Sequence, residues 1–126
     1  MNSLKATMIQ AMQGMRVQSE RIDLTSQNIS NADTPGYQRK MLVVDQATSG
    51  DAFRRLRIEL DGVEGERSYE PTHPMADEDG YVTMSNVSVV TEMADMREAN
   101  RSYEANLNSF QQARTMYKSL LDILKR

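Results

Sequence analysis

The sequence predicts a mainly α protein in which two long antiparallel terminal helices form a coiled-coil-like hairpin, with a small β-rich arm inserted between them. Three observations carry that expectation. Apolar residues recur every seven positions between Met8 and Ile29. They recur three and four apart between Met93 and Leu124, and the stretch between shows the two-residue alternation of strands. Residues 1–37 and 85–126 are read as one discontinuous helical unit, and residues 38–84 as the arm.

In the first helix, Met8, Met15, Ile22 and Ile29 hold one heptad position, and Leu4 and Ala11 hold the intermediate one. Gln18 and Thr25 continue that second position more weakly, and Met12 adds apolar surface beside it. Asn2 or Ser3 can cap the start. A helix from there to about Asn31 spans about 43 Å at ~1.5 Å per residue. Gly14 costs about 1 kcal/mol against alanine in an exposed helix interior. It is either a tolerated defect or a point where another helix comes close.

The helix ends in NISNADTPGYQRK, residues 28–40. Asn28, Ser30, Asn31 and Asp33 offer side-chain hydrogen bonds that compete with the helical backbone. Thr34 is extended because proline follows, and Pro35-Gly36 suits the centre of a type II turn in which Gly36 supplies the positive φ. Tyr37 and Arg39 therefore leave the turn in a fixed direction.

The second helix begins after Ser88, a good N-cap, with Glu92 in its first turn. Its apolar positions are Met93, Met96, Tyr103, Leu107, Phe110, Tyr117, Leu121 and Leu124. Asn100 and Arg114 interrupt this seam as register devices or helix-end contacts rather than ligands. The helix runs nearly to Lys125, and Lys118, Lys125 and Arg126 suit the negative end of its dipole.

Between the helices, MLVVD at 41–45 and LRIEL at 56–60 read as strands. Asp61-Gly62 offers a turn by which VEGERSYE, 63–70, returns against 56–60. Beyond Pro71 and Pro74, a turn at Asp79-Gly80 precedes a short extended piece.

Composition narrows the function. The 126 residues carry a net charge of −3, with 6% aromatics and no cysteine or tryptophan. The isoelectric point is about 5.2 and the mean hydropathy −0.63. Net acidity argues against a protein that grips nucleic-acid phosphates. No apolar run reaches the ~18 residues of a membrane span, and the N-terminus lacks the pattern of a cleaved secretory signal. No catalytic residue or cofactor is expected. His73 stands alone beside Pro74, and no nucleophile elbow, phosphate loop or zinc motif occurs. No metal site is expected at Asp77, Glu78 and Asp79, which lack the spacing of a calcium loop. The basic cluster Arg54, Arg55 and Arg57 is expected to meet a neighbouring subunit's acidic turn.

Both helices also carry apolar residues off the seam: Val17, Leu24, Ala99, Ala113, Met116, Leu120 and Ile123. Each large side chain left in water forgoes about 1.5–3 kcal/mol. The expected solution is self-association, for which ten methionines are well suited because the thioether adapts to non-identical neighbours.

Specific residues then point to a family. GMRVQSERIDLTSQNISNADTPGYQRK resembles the N-terminal signature of the bacterial flagellar axial proteins through Gly14-Met15, Gln18, Arg21, Asn28-Ile29, Asn31, Thr34-Pro35-Gly36-Tyr37 and Arg39. MREANRSYEANLNSF resembles the same family's closing helix through Arg101, Tyr103, Ala105 and Asn106. YEPTHPMADEDGYVTMSNVSVVTEM is similar to the segment that precedes the last helix in a proximal-rod member. Gln13 departs from the small residue usual before Gly-Met.

The resemblance implies a structural subunit of the basal-body rod, exported by the type III apparatus without a cleaved signal and assembled into a tube across the periplasm. Its implied partners are proximal and distal rod proteins, the rod-base adaptor protein, the export apparatus and the rod cap protein. In this family the terminal helices pack between subunits and the Pro-Gly turn places the arm between protofilaments. The last helix borders the channel, which here would present Ser102, Ala105, Ser109, Gln112 and Ser119. The alternatives are a sibling proximal-rod subunit and, from another class, a soluble helical adaptor or export chaperone.

Overall fold

In a computed structural model that describes residues 2–45 and 55–125, helix α1 (Asn2–Ser30) runs out and helix α2 (Val89–Leu124) runs back. The strands between them are β1 (Lys40–Val44), β2 (Leu56–Leu60), β3 (Arg67–Tyr69) and β4 (Tyr81–Thr83). The helix pair is antiparallel: Lys5 lies over the Tyr117 ring, Gly14 faces Asn106, Arg21 reaches toward Glu98, and Asn28 bonds Glu92. With 36 residues, α2 is about 54 Å long at ~1.5 Å per residue. Ser88 caps it, its side chain accepting from the Thr91 N–H, and Glu92 lies in the first turn. Lys125 is the C-cap, whereas Arg126 and Arg54 lie outside the described residues.

The helices meet through small side chains. Ala11, Ala99 and Ala113 are buried, as are Leu24 and Thr25. Thr25 satisfies its hydroxyl inside its own helix, donating to the Arg21 and Ile22 carbonyls. A Cβ built on Gly14 would come within 2.5–2.6 Å of the Asn106 amide, so the missing side chain admits that group directly. Asn106 in turn donates to the Ser102 carbonyl of α2.

This corrects the expected course of the α2 seam. Met96, Tyr103, Phe110, Tyr117 and Leu121 are half-buried, but the alternate positions are Glu92, Ala99, Asn106 and Ala113. Asn100 and Arg114 point outward, as do Met93 and Leu124. The periodicity of large apolar residues lies one position away because the helices approach too closely for large side chains at every turn.

The arm differs from expectation in its pairing. β2 does not fold back on residues 63–70. It pairs antiparallel with β1, Leu42 opposite Ile58, while β3 pairs with β4, Ser68 opposite Val82. Among the described residues only Gly36 and Gly80 have positive φ, so Asp61-Gly62 does not form the primed turn a two-residue hairpin needs. Instead the Asp61 carboxylate accepts from the Val63 N–H, and the Asn86 amide donates to the Asp61 and Val63 carbonyls. The chain is thus carried onward to Gly65, where a Cβ would lie 1.9 Å from the Met84 oxygen. The expected turn at Asp79-Gly80 forms, with Gly80 at φ +85° and its N–H bonded to the Asp77 carbonyl.

Candidate assembly surface and its elbow

The turn that ends α1 fixes how the arm leaves the helices. Gly36 has φ +76°, and the Tyr37 N–H returns to the Thr34 carbonyl, closing the turn about Pro35-Gly36. Asn31 holds the entry: its amide donates to the Gln27 carbonyl and its oxygen accepts from the Thr34 hydroxyl. Gly36 N–H then bonds the Thr83 carbonyl, tying the turn to β4.

Asn28 is the centre of the elbow and is 1% exposed. Its oxygen accepts from the Lys40 N–H and from the Tyr37 hydroxyl, both at 2.9 Å. Its amide donates to the Lys40 carbonyl at 3.0 Å and to Glu92 Oε2 at 3.2 Å. One side chain thus satisfies both backbone groups of the first residue of β1, acting as a short strand beside it, and joins α1, the turn and α2. All four of its hydrogen-bonding sites are used.

Glu92, 0% exposed, receives the Arg39 Nε on its other oxygen. Arg39 Nη2 also reaches Asp95 at 3.2 Å, and the Arg39 N–H donates to Asn86 Oδ1. The hydrogen bond to Glu92 raises the Arg39 pKa further above its already high value, against the opposing effect of burial. Burial raises that of Tyr37, and the Glu92 charge adds to the rise, so its hydroxyl stays a donor to Asn28.

The sequence marked Asn28, Asn31, Thr34, Pro35, Gly36 and Tyr37 as one motif, and the fold brings them together. It did not mark Asn86 or the Glu92–Arg39 pair. Glu92 read as a first-turn acid serving the helix dipole, yet it falls on the buried stripe with Met96 and Ala99. A charged residue at that periodicity was the available signal for a buried cationic partner. Arg101 is exposed on α2, away from this cluster, and Asn106 lies on Gly14.

Several large apolar side chains stand exposed on the outside of the hairpin. Met12, Met93 and Met116 are 47%, 53% and 57% exposed, and Ile123 and Leu124 are 66% and 71%. Ile9, Val90 and Leu120 are exposed with them. Leu4, Met8, Met15, Ile22, Ile29 and Leu107 are half-buried, each turning part of its surface outward.

Two loop clusters are accounted for locally. Asp77 accepts from the Asp79 and Tyr81 N–H groups and pairs with Arg67, which also lies 4.8 Å from the Tyr81 ring centroid. The backbone bond from Tyr81 is the main cause of its lowered pKa. Arg57 is engaged within its own ribbon by Glu59 and Asp45.

A shaft of two helices with small residues between them, large apolar residues outside and a hydrogen-bonded elbow defines a structural subunit. Comparison with known proteins identifies which kind. Residues 8–38 match the family described as "Flagella basal body rod protein", and residues 78–123 match "Flagellar basal body rod FlgEFG protein C-terminal". The "Flagellar basal-body rod protein FlgC" of Agrobacterium fabrum is 40% identical, over 99% of this chain and 98% of its own. The proteins of that name from Salmonella typhimurium and Borreliella burgdorferi are 36% and 31% identical. They cover 86% and 89% of this chain, and 89% and 91% of their own lengths. The chain belongs to the flagellar basal-body rod protein family, as a structural rod subunit and not an enzyme.

Proposed function

We propose that this chain is a proximal-rod subunit that assembles through its terminal helices, after type III export without signal cleavage, into the hollow shaft that crosses the periplasm. The observation that carries this reading is the inversion of side-chain size. Ala11, Gly14, Ala99 and Ala113 make the closest contacts between the two helices, with Leu24 buried beside them, while Met12, Met93, Met116, Ile123 and Leu124 stand outside. Leu4, Met8, Met12, Met15, Ile22 and Ile29 of α1 then serve as contacts to neighbouring subunits. From α2 the contacts are Met93, Met96, Tyr103, Leu107, Phe110, Tyr117, Leu121 and Leu124. The elbow sets the arm's angle against the next subunit, and the face with Ser109 and Gln112 borders the channel. Its neighbours are proximal and distal rod subunits and the rod-base adaptor, with the cap and the export apparatus met in transit.

Replacing Met93 and Leu124 by serine tests the reading. Both are exposed in the free chain, so helix content and urea midpoint should hold while incorporation into basal bodies and swimming are lost. Normal incorporation would refute it. The channel assignment has its own test: Ser109→Lys with Gln112→Lys should slow export of later subunits without preventing rod formation, and unchanged export would remove it.

A further inference from the structure

Among the described residues, the β1–β2 ribbon has an open side. The Asp61 N–H bonds the Arg39 carbonyl and the Asp45 N–H bonds the Arg55 carbonyl, so the odd-numbered residues of the ribbon exchange the hydrogen bonds across it. The backbone N–H and C=O groups of Leu56, Ile58 and Leu60 therefore point away from β1. β2 is an edge strand with nothing paired to that side among the described residues. The same three residues share one face, and Ile58 and Leu60 are 53% and 55% exposed. Arg57 and Glu59 occupy the other face and also contact each other.

An exposed, apolar edge of this kind is a template for another strand. We infer that β2 pairs antiparallel with β2 of a second copy of this chain, about a two-fold axis through Ile58. The sequence LRIEL is self-complementary in that arrangement. Ile58 faces Ile58, Leu56 faces Leu60, and Arg57 of each copy faces Glu59 of the other. The outward-pointing backbone groups of residues 56, 58 and 60 fall directly opposite one another, as hydrogen-bonded pairs. Arg57 and Glu59 fall at non-hydrogen-bonded positions, where opposing side chains approach most closely.

No other nearby alignment has these properties. Sliding one strand by two residues places either Arg57 against Arg57 or Glu59 against Glu59 on the axis, and an in-register parallel pairing opposes like charges throughout. Pairing converts a marginal two-stranded ribbon into a four-stranded sheet with one apolar face. A two-fold contact closes on itself and cannot repeat along a shaft whose subunits point the same way. The pairing therefore belongs to the unassembled subunit, where it covers the edge until incorporation displaces it.

The chain has no cysteine, so Ile58→Cys places a single thiol on the axis. Hydrogen-bonded antiparallel partners have Cα atoms about 5.5 Å apart, within disulfide reach. Full-length Ile58→Cys protein under mild oxidation should cross-link to itself. Val63→Cys, more exposed than position 58 but off the axis, should not. Adding Arg57→Glu or Glu59→Arg to Ile58→Cys should slow cross-linking about tenfold, since like charges then face each other. Mixing the two inverted proteins, or combining both inversions in one chain, should restore it. Cross-linking at 58 no faster than at 63, or indifferent to the inversions, overturns the pairing. Helix-driven association leaves this readout unmoved, so failure here is distinct from failure of the assembly reading.

Discussion

Asn28 and Arg39 govern the elbow one hydrogen bond at a time. Asn28→Ala leaves both backbone groups of Lys40 without partners, and the free chain should lose about 1–3 kcal/mol in urea unfolding. Arg39→Met leaves the fully buried Glu92 carboxylate facing only Asn28. Arg39 is itself 25% exposed, which places the loss near the low end for a broken buried pair, about 3 kcal/mol. Tyr37 gives the elbow a pH dependence. Its pKa is raised from 10.0, so its contribution is complete below the ordinary tyrosine range and is lost as pH rises through the raised value. Stability measured against pH should show the gap between the natural chain and Tyr37→Phe closing above about pH 10. A constant gap would exclude this role. The turn itself was legible, because Asn, Pro and Gly act on their own backbone. The burial of Asn28 was not, since its partners Lys40 and Glu92 lie 12 and 64 residues away.

At the scale of elements, both helices were legible from their periodicity, and their ends from Ser88 and from the Thr-Pro-Gly turn. The α2 seam was displaced by one position, since hydrophobicity weights large side chains and the contact is made by Ala99, Asn106 and Ala113. That contact is sensitive to bulk. Ala99→Leu, at a position with 0% exposure, should cost about 1–3 kcal/mol by overpacking, read as a lower urea midpoint with unchanged slope. Gly14→Ala should also destabilise, by forcing Asn106 off the helix it covers. In the arm, strand positions followed from alternation, but pairing did not. Asp61-Gly62 has the composition of a hairpin turn, and only the distant amide of Asn86 shows why the chain passes straight through it.

For the whole molecule, the surplus of apolar residues was visible in the sequence, and the structure places much of it on the outside of the shaft. The small-residue seam and the apolar exterior belong together: close approach of α1 and α2 at Ala11, Gly14, Ala99 and Ala113 leaves room between them for only some of the larger side chains, such as Leu24. The free subunit is expected to carry this surface openly, and the assembled rod to bury it. Methionine oxidation reads this directly, because the thioether reports its own accessibility. Met12, Met93 and Met116 are each about half exposed in the single chain, and Met75, 59% exposed on the arm, provides a comparison within the same molecule. Brief oxidation of free subunits and of purified basal bodies, followed by peptide mass analysis, should show Met12, Met93 and Met116 reactive in the first and protected in the second. Equal oxidation of those three methionines in both states would contradict burial of the terminal helices by neighbouring subunits.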